Sequence, residues 1–165
     1  MKPIAILVLL LSCLHWVSVS HAESTENQRS TNLDVYKSPT CGCCEDWVNH
    51  MKSDGFSVKI YHPENLDAIK ELFAISPAYQ ACHTSVTAGY FFEGHIPASI
   101  VEHFLAQRPK DVAGLAVPGM PLGSPGMDVT GYYRAYELIQ INKDGSRSPY
   151  ARVSHDRIVY AGESL

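Results

Sequence analysis

A cluster of three cysteines constrains this chain more than any other feature of its sequence. Cys41, Cys43 and Cys44 follow an alternating apolar segment at residues 33–36 and precede apolar residues at helical spacing in residues 45–53. This pattern predicts a strand that passes through the cysteines into a helix. The start of a helix carries free N–H groups and partial positive charge, which favour thiolates over thiols. We therefore expect reactive or metal-binding cysteines at a strand-to-helix turn.

The residues that follow predict an α/β domain. Residues 56–60 alternate as a strand, and Asn65 is placed to cap a second helix with Leu66, Ile69 and Phe73 on its apolar face. The resulting order is strand, helix, strand, helix. This order favours two parallel strands joined by a right-handed crossover.

The second half of the chain predicts further elements of the same domain. We expect one strand over residues 86–92 with a bulge at Gly89, and a helix over residues 97–109 that proline opens and closes. A strand at 136–141 is expected to return at 150–153 after a turn. The last residues show no pattern of regular structure.

A segment rich in Gly and Pro, residues 114–131, predicts a long loop. The tripeptide Pro-Gly-Met occurs in it twice, at 118–120 and at 125–127. A long loop without regular structure is unusual in a compact domain and is often functional. Met120 and Met127 are therefore candidate ligands, although simple packing of the loop explains two methionines equally well.

The first residues predict export across a membrane. Lys2 precedes an apolar stretch, and residues 20–22 (Ser-His-Ala) place small residues where signal peptidase cleaves. We expect a signal peptide at residues 1–22, a flexible lead-in at 23–32 and a single domain at 33–160.

Two other interpretations of the N-terminal segment stay open. It could be a membrane anchor, although the stretch is short for a span and contains Ser, Cys and His. It could also carry a lipidated Cys13 at the end of a lipobox at residues 10–13, although the apolar stretch continues beyond it. No second long apolar segment exists, so we expect no membrane association after cleavage. The net charge is −4 without a basic stripe, which makes nucleic acid a poor partner.

Removal of the signal peptide leaves four cysteines, Cys41, Cys43, Cys44 and Cys82. Exported domains stapled by disulfides usually spread their cysteines along the chain, whereas this chain concentrates them. A structural disulfide between Cys41 and Cys44 is the alternative to a reactive or metal site. Soft thiolates select Cu(I), zinc or iron–sulfur clusters, and adjacent cysteines fit one tetrahedral zinc ion poorly. We favour Cu(I), because it accepts bridging thiolates and thioethers.

Two histidines are further candidates for this site. His83 directly follows Cys82, and His95 lies just before the third predicted helix. Each could bind a metal or orient a ligand, but a His83 in the core or on the surface and a His95 that only caps the helix are alternatives. The sequence contains no GxSxG, Walker, HExxH or GxGxxG motif.

Four stretches of the sequence resemble the CopG-type periplasmic copper-resistance proteins. They are residues 38–47 (SPTCGCCEDW), 81–84 (ACHT), 93–97 (EGHIP) and 114–127 (GLAVPGMPLGSPGM). The resemblance implies a thioredoxin-like α/β fold with a central mixed sheet flanked by helices. It also implies a copper–thiolate cluster held by the three clustered cysteines and a distal one, which here is Cys82.

We therefore expect a periplasmic protein of copper resistance that holds several Cu(I) ions on these four cysteines. Cys41 and Cys44 are expected to cycle between dithiol and disulfide, and the resemblance implies a copper efflux system or a periplasmic redox protein as partner. Two alternatives stay open. One is a metal-free thioredoxin-like disulfide oxidoreductase that uses Cys41 and Cys44, and the other is a copper chaperone that only binds the metal.

Overall fold

The computed structural model describes residues 31–128, 131–155 and 157–163. The predicted signal peptide and most of the predicted lead-in lie outside these residues. The described residues form three α-helices, eight strands and a short 3₁₀-helix. In chain order these are β1 (Asn32–Lys37), α1 (Gly42–Ser53), β2 (Ser57–Tyr61), α2 (Leu66–Leu72), the 3₁₀-helix (Pro77–Tyr79), β3 (His83–Thr87), β4 (Tyr90–Glu93), α3 (Ala98–Gln107), β5 (Val112–Ala116), β6 (Tyr136–Asn142), β7 (Arg147–Ser154) and β8 (Arg157–Tyr160).

The strands form one mixed sheet in the order β2-β1-β3-β4-β5-β6-β7-β8. The pairs β1–β2 and β4–β5 are parallel, and the other neighbours are antiparallel. The parallel pair β1–β2 is joined through α1, as the strand–helix–strand pattern predicts. Since β1 lies between β2 and β3, the start of α1 lies beside β3.

The helices cover both faces of the sheet. Successive residues of a strand point to opposite faces, and Phe91 and Phe92 of β4 accordingly belong to two different core clusters. Phe92 packs in the larger cluster, with the buried stripes of α1 and α3. Phe91 packs in the smaller cluster with Phe73 and Ile75, which follow α2. The metal-site candidates described below lie at the end of the sheet where β1 passes into α1.

The helix ends follow from local chemistry. Cys41 is the N-cap of α1 in an extended conformation, and Gly55, with a φ of 91°, follows the helix at its other end. The predicted cap of α2 is confirmed, since Asn65 Oδ1 accepts hydrogen bonds from the N–H groups of Asp67 and Ala68.

The prediction of a single strand over residues 86–92 with a bulge is wrong. The segment contains the end of β3 and the start of β4, which form a hairpin that turns at Ala88 and Gly89. Both turn residues have positive φ, 51° and 84°. Two-residue turns of this kind match the twist of antiparallel strands, and β3 itself begins earlier, at His83.

Two further sequence predictions require correction. The loop does not begin at residue 114, because β5 extends to Ala116 between β4 and β6. Gly114 is required there by close packing, since a Cβ on it would lie 2.1 Å from the carbonyl oxygen of Phe91. The last residues are not irregular either, because β8 pairs with β7. Within the described ranges, no helix combines the length and apolar character needed to cross a membrane.

Candidate metal centre

The fold brings the four predicted cysteines together. Cys41 caps α1, Cys43 and Cys44 lie in its first turn, and Cys82 immediately precedes β3. Since β1 and β3 are neighbours and Lys37 pairs with His83, the segment before β3 lies beside the connection from β1 to α1. The four Sγ atoms all lie within 4.8 Å of one another.

The four cysteines of this cluster differ in oxidation state and in exposure. Cys41 and Cys44 form a disulfide, while Cys43 and Cys82 are free and partly exposed. The Sγ of Cys43 lies 3.5 Å from that of Cys41. Burial, and secondarily the neighbouring Cys43, raise the pKa of the Cys82 thiol to about 12. Without a metal ion, Cys82 is therefore a neutral thiol at neutral pH.

Two histidines extend the cluster on the side of Cys82. Its Sγ lies 2.9 Å from Nε2 of His95 and 3.4 Å from Nδ1 of His83. Both imidazoles are completely buried. Cys44, Cys82, His83 and His95 form a second group whose donor atoms lie within 4.8 Å of one another. Because the two groups share Cys44 and Cys82, six potential ligands form one continuous set.

His95 is held in a defined tautomer. Its Nδ1 lies 2.7 Å from the carbonyl oxygen of Pro125. A carbonyl oxygen only accepts hydrogen bonds, so Nδ1 carries the proton and the lone pair of Nε2 faces Cys82. Burial lowers the pKa of His95, and the hydrogen bond to Pro125 acts in the opposite direction. A neutral imidazole oriented through its other nitrogen is the usual form of a metal ligand.

His83 carries an unsatisfied polar atom. Its Nε2 is buried and has no hydrogen-bond partner among the described residues. Its ring packs against Trp47 at a centroid distance of 4.3 Å, and Trp47 is fixed by a 2.8 Å hydrogen bond from Nε1 to the carbonyl oxygen of Ile96. Burial, followed by His95, Lys70 and Lys37, lowers the pKa of His83 well below its usual range. Since buried polar atoms are usually paired, this neutral ring beside the Cys82 thiol suits the donor set of a soft cation.

The loop that follows β5 and carries both Pro-Gly-Met tripeptides, here called the Gly/Pro/Met loop, lies against α1, the helix that carries the clustered cysteines. Gly126 packs so closely on α1 that a Cβ on it would lie 2.5 Å from the carbonyl oxygen of Cys43 and 2.8 Å from the nitrogen of Trp47. Met127 follows directly along the chain and is half-buried. Near the start of the loop, Gly119 N–H donates to the carbonyl oxygen of Gln80. Met120, which follows, is 51% exposed. The loop backbone beside each methionine thus contacts the segments that carry the cysteines.

Comparison with known proteins places the chain in a family. Residues 79–127 match a family model described as a protein of unknown function, DUF411. A solved structure named copper resistance protein CopG, form 2, is 34% identical, covers 76% of this chain and 99% of its own, and superimposes with a TM-score of 0.72. The chain belongs to the CopG-type copper-resistance family. Form 1 of the same name gives 35% identity, 75% and 98% coverage and a TM-score of 0.71. No curated protein matches the chain.

Three of the four motifs lie at least partly within the matched family segment. The matched family segment contains Cys82, both histidines and both methionines, but not the cysteine cluster of α1. The CopG structures cover about three quarters of the chain. The described cysteine cluster is a group that could hold a metal ion.

Sequence reasoning missed a buried polar network behind the cluster. Glu93 is fully buried, and its carboxylate accepts hydrogen bonds from Lys70 Nζ, from Ala81 N–H at 2.7 Å and from Thr84 Oγ1. Burial raises the pKa of Glu93, and the ion pair with Lys70 opposes that shift. The sequence pattern that could have indicated Glu93 is an acidic residue at the end of an apolar strand. No sequence pattern indicates that Lys70 is buried, because a lysine on a short helix is usually exposed.

Proposed function

We propose that the chain is a periplasmic copper-binding protein of copper resistance that holds Cu(I) on the thiolates of Cys41, Cys43, Cys44 and Cys82. The observation that carries this proposal is the approach of all four Sγ atoms to within 4.8 Å of one another. Thiolates are soft ligands that select Cu(I), and adjacent cysteines on one helix turn suit bridging between ions better than a single tetrahedral ion. The name of the related solved structures supports copper as the metal.

Further donors complete the proposed site. His83 and His95 bind as neutral imidazoles, since both are buried and one nitrogen of His83 has no partner in the described structure. Met120 and Met127 supply thioethers from the loop that packs on α1. Cys44 and Cys82 belong to both donor groups, so each of these sulfurs could bind more than one metal ion. This sharing supports a multinuclear Cu(I) site.

The same sulfurs support redox cycling with copper as the substrate. Two thiols, such as those of Cys41 and Cys44, reduce two Cu(II) ions to Cu(I), form one disulfide and release two protons. The disulfide between these residues corresponds to the oxidised product. Cys43 and Cys82 stay free as ligands, or pair to supply a second two-electron step. A periplasmic redox partner then restores the dithiol, and an efflux system removes the Cu(I).

The topology supports a thioredoxin-like core. In the order β1-α1-β2-α2-β3-β4-α3 with neighbours β2-β1-β3-β4, helix α1 with its cysteines directly follows β1, an inner strand. Strands β5 to β8 extend this core. We propose a mature domain of residues 33–160 that follows a signal peptide at 1–22 and a lead-in at 23–32. The N-terminal signal-peptide pattern supports a location outside the cytoplasm.

A metal-free disulfide oxidoreductase is the second candidate. The observation in its favour is the disulfide between Cys41 and Cys44 at the start of a helix, where thiolates are stabilised. The free Cys43 disfavours it, because its sulfur lies 3.5 Å from that of Cys41 and competes for it. A chaperone that only binds copper would use the same ligands without the redox step.

The deciding experiment is a Cu(I) titration of reduced residues 23–165 against a competing chelator, with bound copper counted by elemental analysis. We expect several Cu(I) per chain and loss of the cluster when all four cysteines are replaced by Ser. His83→Gln and His95→Gln are expected to weaken binding about tenfold or more. His103→Gln is the matched control, since His103 is exposed and stacks on Tyr160 away from the cluster. One weakly bound copper or none, with turnover of a disulfide substrate, would favour the oxidoreductase.

A further inference from the structure

We propose that Glu93 is a positioning residue, whose buried carboxylate holds Cys82 and His83 in place for the metal. The expected effect on Cu(I) binding rests on the proposed copper site. The claim that Glu93 fixes Ala81 and Cys82, just before β3, does not depend on that site. The proposed ligands do not include Glu93 or its partner Lys70.

The contacts of Glu93 bracket the two proposed ligands. One carboxylate oxygen accepts from Ala81 N–H at 2.7 Å, and the other accepts from Thr84 Oγ1. Ala81 and Thr84 are the residues on either side of Cys82 and His83. Cys82 precedes the strand, so the ladder hydrogen bonds of β3 do not fix its backbone. The hydrogen bond from Ala81 to Glu93 replaces them.

Lys70 makes a buried carboxylate possible at this position. It is 3% exposed, donates to Thr84 Oγ1 at 3.2 Å and forms the ion pair with Glu93. A buried ion pair contributes little net stability compared with a well-packed apolar pair. A role in fixing a particular geometry therefore explains the pair better than a role in overall stability.

The backbone around Glu93 joins the other parts of the site. Its carbonyl oxygen accepts from Val117 N–H at 2.9 Å, where the Gly/Pro/Met loop begins. The next residue, Gly94, is so tightly packed that a Cβ would lie 2.6 Å from the carbonyl oxygen of Val117 and 2.7 Å from Cβ of Ala81. His95 follows. Glu93 and the glycine after it thus contact both the residues just before Cys82 and the start of the loop, and they lie directly before His95 in the chain.

The test compares two double variants that both remove the buried charges. Lys70→Met with Glu93→Gln keeps an oxygen that accepts from Ala81 N–H, whereas Lys70→Met with Glu93→Leu does not. Ser85→Ala is the matched control, because it removes a buried hydrogen bond between β3 and β4, from Ser85 Oγ to the carbonyl oxygen of Phe92, without touching the Cys82 segment. Amide hydrogen exchange of Ala81 and Cu(I) affinity are measured on reduced residues 23–165.

We expect exchange at Ala81 to accelerate about tenfold or more in the leucine variant, since the Ala81 N–H loses its acceptor. Its Cu(I) affinity should fall about 10- to 100-fold, as for other residues that orient metal ligands. The glutamine variant and the control should stay within about threefold of the parent chain.

Equal exchange in both double variants overturns the inference, and so does accelerated exchange with unchanged Cu(I) affinity in the leucine variant. Unfolding in urea checks that both variants fold. If the parent chain itself binds no Cu(I), the proposed function fails, whereas the exchange rates still decide whether Glu93 fixes the Cys82 segment.

Discussion

The two Pro-Gly-Met tripeptides allow a sharp test of how the loop is held over the cysteine helix. Gly126 and Gly119 occupy the same place in the two tripeptides, and both have positive φ, 80° and 71°. Their surroundings differ. A Cβ on Gly126 would lie 2.5 Å from the carbonyl oxygen of Cys43 and 2.8 Å from the nitrogen of Trp47, whereas a Cβ on Gly119 would meet nothing within 4 Å.

The expected cost of alanine at each position follows from these distances. A left-handed conformation costs a residue with a Cβ about 1–2 kcal/mol, and both variants carry this term. Gly126→Ala adds a clash with backbone atoms of α1, which cannot move without disturbing the hydrogen bonds of the helix. Overpacking of this kind costs about 1–3 kcal/mol. We therefore expect the free energy of unfolding to fall about 1–3 kcal/mol further in Gly126→Ala than in Gly119→Ala.

Urea-induced unfolding of reduced, metal-free residues 23–165 measures this difference. The displaced loop should also lengthen the hydrogen bond between Pro125 and His95, so the nitrogen chemical shifts of His95 should change in Gly126→Ala and not in Gly119→Ala. If the free energies of unfolding of the two variants differ by less than about 0.5 kcal/mol, the loop does not press on α1 and is not held over the site by this contact.

Three further predictions test the described contacts. Ala88→Gly should stabilise the chain by about 0.5–1 kcal/mol in urea unfolding, because Ala88 has a φ of 51° in the hairpin turn, and a loss of stability would contradict that turn. Trp47→Phe should lower the free energy of unfolding by about 1–3 kcal/mol, because the carbonyl oxygen of Ile96 loses its 2.8 Å partner, and an unchanged value would refute that role. Alkylation under denaturing conditions followed by mass measurement should modify two thiols in oxidised residues 23–165 and four after reduction, and four before reduction would exclude the disulfide between Cys41 and Cys44.

The parts of the fold that the sequence predicted are those with strong local patterns. The stripe of α1 and the cap at Asn65 depend on residues three to four positions apart, and both were found. The hairpin at Ala88 and Gly89 was missed because one glycine in an apolar run is equally consistent with a bulge. Strand β5 was missed because Gly114 resembles the loop that follows, although close contact with Phe91 is what requires it.

The candidate site was predictable only in its chemistry. Soft ligands in one cluster indicated a metal, and the motif containing Cys82 indicated a distal partner. That Cys82 meets the helix depends on β3 lying next to β1, a long-range pairing that no local pattern encodes. The buried pair of Lys70 and Glu93 depends on the packing of α2 against β3, since Thr84 of β3 pairs with Glu93 and also accepts from Lys70.

Charge balance gives a further physical reason to expect several copper ions in the proposed site. Cys44 is buried and the other three cysteines are half-buried, so water stabilises charge poorly around them. Four thiolates would place four negative charges within a few ångströms, and one Cu(I) ion would neutralise only one of them. Both histidines are neutral, and Lys37 and Lys70 are already paired with Glu45 and Glu93. Each additional Cu(I) therefore lowers the electrostatic cost of the remaining thiolates, whereas the disulfide and protonated thiols keep the metal-free site neutral.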